Sequence, residues 1–275
     1  MDELSPGDLF VLIGSAAAAI IGWGSLMVRG AVLDRRLWST PDGRLRPGGA
    51  YGCLATIFGW AAVGAIVAYV ILYFAASDVR PSAMYVFLYI MMGFGVTAIN
   101  TFALRVFGWR IADMFERRNN AAHTLFYTAT IASSLAFAGA NIGDGPGFYV
   151  VLFCTGLSHV TLWSIAVVHA AFNRTAYRIL VDHDRGIAFR FGCMLVAIGA
   201  ILGRAVAGDW PGYLATTLDF MRIGWPALLF LVFDTVLARF TLTREIDGGL
   251  WADRATGVIY LVTAFAYLSI LGMPA

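Results

Sequence analysis

Polar and apolar positions along this chain fall into long blocks rather than short helix or strand periods. Residues 9–28, 47–77, 81–104, 119–143, 145–173 and 255–275 contain no Asp, Glu or Arg. A bilayer-spanning helix takes about 20 predominantly apolar residues. The blocks predict eight such helices, at 9–28, 50–76, 82–105, 120–141, 147–172, 187–206, 217–239 and 255–273. The expected fold is therefore an all-α polytopic membrane protein, one transmembrane domain over residues 1–275.

The joints between blocks repeat. GDGPG at 143–147 returns as GDWPG at 208–212, and Pro81, Pro146 and Pro211 are spaced by 65 residues. These prolines begin spans three, five and seven, where a missing N–H costs a helix nothing. The neighbouring Gly and Asp suit tight turns. At the opposite ends, ERRNNAAH (116–123), DHDRGIAF (182–189) and WADRATGV (251–258) precede return helices, with GRLRPGGAYG (43–52) as a weaker first copy. The pattern predicts four helical hairpins, units 9–76, 82–141, 147–206 and 212–273, with a period of about 65 residues. Internal repeats of paired helices are common in transporters, and occur in proteins that move nothing.

Composition agrees and adds direction. The chain is 60% hydrophobic and 13% charged, against about 25% charged for soluble domains. All 19 basic residues are Arg, so no lysine Schiff base to retinal or pyridoxal phosphate can form. Loops after spans one, three, five and seven hold 16 of the 19 arginines. Such an excess marks the cytoplasmic side, which puts both termini outside. The start, MDELSPGDLF, is acidic where a cleavable signal would be basic, so span one is read as retained. Cys53, Cys154 and Cys193 sit in apolar runs without paired spacing and read as small buried hydrophobes.

Charge inside a span is costly, so its presence asks for a reason. Span seven cannot avoid it, because only eleven uncharged residues separate Arg222 from Asp234. Asp219 and Arg222 are three apart and share a helix face. They read as a mutual ion pair near the outer interface, or alternatively as a gate or anion contact. Asp234 has His169 as its counterpart one period earlier, and Leu104 before that. His123 and Arg190, in the first turns of spans four and six, belong at a similar depth. His123, His169, Arg190 and Asp234 thus form an expected cluster, either an ion-pair network holding helices together or a proton or cation relay.

His159, among Thr155, Ser158 and Thr161, reads as a hydrogen-bonded structural histidine. Asn100 in span three reads as an interhelical hydrogen-bonding group. His159 and His169 lie about 280° apart around one helix and cannot act together on a haem. No His or Cys spacing marks a metal site, and no cofactor is expected. The pairs Gly139/Gly143 and Gly199/Gly203, and the series Gly14, Ala18, Gly22, allow close helix approach, within one chain or in a homo-oligomer. Residues 105–120 place Phe107, Ile111, Met114 and Phe115 on one stripe, an amphipathic segment for the membrane surface or for a soluble partner.

The helix entries RRNNAA (117–122), DRGIA (184–188) and DRATG (253–257) give the chain a resemblance to two tandem copies of a bacterial membrane family known as domain of unknown function 350. The resemblance implies a bacterial inner-membrane protein without a settled activity, and supplies no catalytic residue.

No phosphate-binding glycine loop, nucleophile–base pair or carboxylate pair is present, and no long loop is left to build an enzyme. Two functions remain. One is a channel or transporter for protons, cations or a small solute, lined by Asp234, His169 and His123. The other is a non-transporting scaffold that docks a cytoplasmic partner through arginine-rich loops. The expected partners are membrane lipids, a possible second copy and a possible cytoplasmic protein, with no nucleic acid. A water-filled cavity at Asp234 favours the first function; a dry Asp234 paired with Arg190 favours the second.

Overall fold

The computed structural model describes residues 4–38, 50–77, 79–103, 120–145, 147–241 and 250–272. Ten helices account for almost all of it. They are α1 (Pro6–Trp38), α2 (Ala50–Phe74), α3 (Ala83–Ala103), α4 (Asn120–Gly139), α5 (Phe148–Asn173), α6 (Thr175–Leu180), α7 (Arg185–Ala205), α8 (Tyr213–Gly224), α9 (Pro226–Thr241) and α10 (Leu250–Leu271). No strand occurs among the described residues; the one β-bridge pairs Ala75 with Gly143.

Among the described residues five helical segments are long and apolar enough to cross a membrane: Pro6–Gly24, Ile57–Phe74, Phe148–Asn173, Arg185–Ala205 and Trp251–Leu271. A sixth forms if α8 and α9 are taken as one span bent by 40°. Their outer faces carry large apolar side chains open to the surroundings, such as Phe10, Phe58, Val160, Phe265 and Ile270. An apolar exterior of this extent fits a protein solvated by lipid.

The expected span seven, 217–239, is two helices. Pro226 opens α9, and α8 ends at Gly224. Proline offers no N–H to the carbonyl four residues back, and its ring clashes there, so the helix breaks and bends at this point. The residues after span five also differ from a plain loop. Arg174 adopts a left-handed conformation (φ 52°), which ends α5 and starts the short α6.

The core is a row of helices in the order α2, α4, α7, α10, each packed on the next. α1 packs on α2 and α3, α3 on α2 and α4, α5 on α4, α7 and α9, and α8 and α9 on α7. The closest approach is between α4 and α7. A Cβ added to Gly139 would lie 2.1 Å from the Gly203 carbonyl oxygen, and one added to Gly199 would lie 2.3 Å from that of Ala132. The small-residue pairs thus serve packing within one chain. α7 is held at its start by Asp184, whose carboxylate accepts from Ile187 N at 3.0 Å and from Arg178 Nη2 at 2.8 Å. Such a cap satisfies one of the free amides of a helix's first turn.

At the other end of the bundle the two Gly-Asp turns lie side by side. Gly208 N donates to Ile142 O, and Trp210 N to Asp144 O, both at 2.9 Å. Asp144 N donates to Asp209 Oδ1 at 2.8 Å. Gly143 and Gly208 both adopt positive φ, 102° and 132°, which side-chain-bearing residues rarely tolerate.

Candidate functional site

Four helices bring a charged cluster together near the arginine-rich end. α5 supplies His169, one turn before its end at Asn173, and α7 supplies Arg190 from its second turn. α9 supplies Asp234, and α10 supplies Asp253 and Tyr260. All are buried; Asp234 has 0% of its surface exposed, and Arg190 and His169 1% each.

Asp234 is the hub. Its Oδ2 lies 2.5 Å from His169 Nε2. Its Oδ1 accepts from the Tyr260 hydroxyl at 2.6 Å and sits 3.0 Å from Arg190 Nε. The last contact is an ion pair whose N–H is not aimed at the oxygen. Arg190 directs Nη1 instead to Asp253 Oδ1, at 2.6 Å. A carboxylate only accepts, so Nε2 of His169 carries the hydrogen of that bond. Nδ1 faces the Thr175 hydroxyl at 3.3 Å, and the Phe191 ring stacks on the imidazole at 4.6 Å. Gly186 makes room on α7, since a Cβ there would lie 2.6 Å from Asp253 Oδ2.

Charge counting defines what the cluster can do. Two carboxylates face one guanidinium and one imidazole, so it is neutral with a protonated imidazole and carries −1 without. Buried ion pairs need such compensation, because each isolated ion costs several kcal/mol to remove from water. Here the pairing spans α5, α7, α9 and α10, so the charges fasten four helices at one depth.

The other expected residues divide. His123 is half-buried in the first turn of α4. His159 is hydrogen-bonded at mid-span: Nε2 lies 2.7 Å from Ser133 Oγ and Nδ1 2.9 Å from the Thr155 carbonyl. Asp219 and Arg222 are both exposed, and no ion pair joins them among the described residues. The Asn100 side chain, Leu104 and most of segment 105–120 lie outside the described residues. Asp253, Tyr260, Thr175 and Phe191 were not anticipated. Asp253 had a signal, because the Asp-Arg pair at 184–185 recurs at 253–254.

A cavity of about 490 Å³ opens at the opposite end, between the Gly-Asp turns, the start of α1 and the start of α8. Its deepest lining includes Tyr89, Asn141, Cys154 and Thr216, all buried. Cys154 and His169 are fifteen residues apart on α5, about 22 Å at 1.5 Å per residue. One end of the bundle is hollow and polar, and the other is closed by charge pairs. Among the described residues no group of three or more His, Cys, Asp or Glu is placed to hold a metal ion. No family model, curated protein or solved structure matches the chain.

Proposed function

We propose that this protein is a gated carrier for a small solute, an eight-span inner-membrane protein of four helical hairpins with its arginine-rich loops in the cytoplasm. In this reading the hollow end faces outward, and the His169–Asp234–Arg190–Asp253 cluster is the closed inner gate. The observation that carries it is the broken span. α8 lines the cavity with Thr216 and Asp219, and α9 holds the hub Asp234. The bend between them at Trp225 joins cavity and gate in one element. Discontinuous helices are a recurrent feature of transporter binding sites. An always-open ion conduit fits less well, because Asp234 is fully buried and directly paired.

Two native cysteines provide the test. Cys154 lines the cavity, and Cys193 lies buried one turn from Arg190 on α7. In proteoliposomes made with Cys53→Ser protein, a small hydrophilic thiol reagent labels Cys154 and spares Cys193. Asp234→Asn opens the gate, so Cys193 becomes reactive and Cys154 is protected. Unchanged labelling of both in a folded variant would refute the carrier.

The second reading is a non-transporting scaffold that docks a cytoplasmic partner. The direct ion pairing of the buried Arg190 with Asp234 and Asp253 favours it, and unchanged labelling would select it.

A further inference from the structure

We infer that the cavity at the Gly-Asp end is a binding site for a small organic ammonium cation. As a transported substrate class this rests on the carrier reading; as a binding site it stands alone.

The charge of the cavity comes first. Asp8, Asp144, Asp209 and Asp219 line it, and no Arg or His does among the described residues. Asp8 is buried, with Oδ2 taking Ser5 N at 3.0 Å and Ser5 Oγ at 2.7 Å. The other three are exposed around the mouth. Their field attracts cations and repels anions.

Exposed carboxylates alone would be a solvated rim. Two buried oxygens make the difference. Asn141 donates its Nδ2 to the Phe137 carbonyl at 2.7 Å, while its Oδ1 has no partner among the described residues. Thr216 is likewise buried and its hydroxyl has none, although Thr217 beside it bonds the Tyr213 carbonyl at 2.8 Å. Helical threonines ordinarily satisfy themselves that way. Both residues line the cavity, at 6% and 8% exposure. An unmet buried polar atom is costly, and both oxygens are acceptors on residues that line the cavity.

Size and spacing then select the class. About 490 Å³ exceeds the needs of a bare ion and lies within the usual range for small-molecule sites. The acidic groups are not clustered to chelate a metal. Tyr85, Tyr89, Tyr149 and Trp210 also line the cavity, and aromatic faces attract ammonium groups.

The experiment titrates the purified full-length chain in detergent with tetramethylammonium and with butylammonium chloride, reading heat and tryptophan fluorescence. Calcium chloride is the control. Saturable binding of butylammonium is expected, weakened about tenfold by Thr216→Val and comparably by Asp219→Asn. Asp219→Asn is the safeguard if Thr216→Val fails to fold, because that carboxylate is exposed. No saturable binding of either ammonium, equal affinity in the folded variants, or displacement by micromolar calcium would each overturn the inference. Binding without the cysteine exchange described above would keep the site and remove the carrier. Exchange without ammonium binding would keep the carrier and remove this ligand class.

Discussion

His169 and Asp234 are 65 residues apart in the chain and bonded to each other through Nε2 and Oδ2 at 2.5 Å. The same separation joins Asp144 to Asp209 at the other end of the bundle. Positions that correspond in the sequence repeat therefore meet in space.

Arg190 is the cation between Asp234 and Asp253. Replacing it with Gln leaves two buried carboxylates facing each other, and breaking a buried pair typically costs about 3–5 kcal/mol. Arg190→Gln should lower the denaturant midpoint in detergent accordingly. Adding Asp253→Asn should recover part of the loss, because neighbouring sites couple. A double variant as unstable as the sum of the singles would show that the charges do not interact.

The α4–α7 contact makes a graded packing prediction. Gly203→Val drives a side chain into the Leu135 carbonyl, 2.4 Å from the position of its Cβ. Overpacking of this kind costs about 1–3 kcal/mol. Gly14→Ala and Gly156→Ala, where a Cβ meets nothing within 4 Å, should leave the melting temperature unchanged or raise it, since alanine is the better helix former. Thermal unfolding of the three variants in one detergent checks the contrast.

Pro226→Ala supplies the missing N–H and removes the ring clash, so α8 and α9 can join as one straight helix. If the bend transmits motion, Pro226→Ala in the Asp234→Asn chain should slow Cys193 labelling several-fold. Undiminished labelling would separate the gate from the bend.

A sealed Asp234 predicts that wild-type proteoliposomes sustain no proton or monovalent-cation current above empty liposomes. A steady current lost in Asp234→Asn would instead identify an ion conduit through the cluster.

The membrane orientation follows from arginine placement. In a chain lacking native cysteines, a cysteine at Asp209 should react with an impermeant maleimide on intact cells, and one at His183 only after permeabilisation. The reverse pattern would invert the topology.

Much of the architecture was legible because lipid imposes one requirement everywhere: helices with apolar surfaces. The charge-free blocks therefore fell close to the helices observed. The pairing of His169, Arg190 and Asp234 was legible through the repeat, since a shared phase implies a shared depth. Two members of the cluster were not. Asp253 looked like a loop residue because α10 begins at Leu250, before the charge-free block at 255. Tyr260 looked like any aromatic in an apolar run. The bend at Trp225 had a signal in Gly224-Trp225-Pro226, but hydropathy over a window averages a single proline away. Asp219 and Arg222 share a helix face, yet exposed ion pairs gain little, and spacing did not bring them together.

At Gly139, Gly199 and Gly203 the contacts between α4 and α7 set backbone against backbone, with no side chain between them to shear. Two helices joined that way behave as a single beam. Whatever rearranges in this molecule must swing around that beam, which gives the remaining helices a fixed pivot. Amide exchange should accordingly be slowest in α4 and α7 and fastest on either side of Trp225.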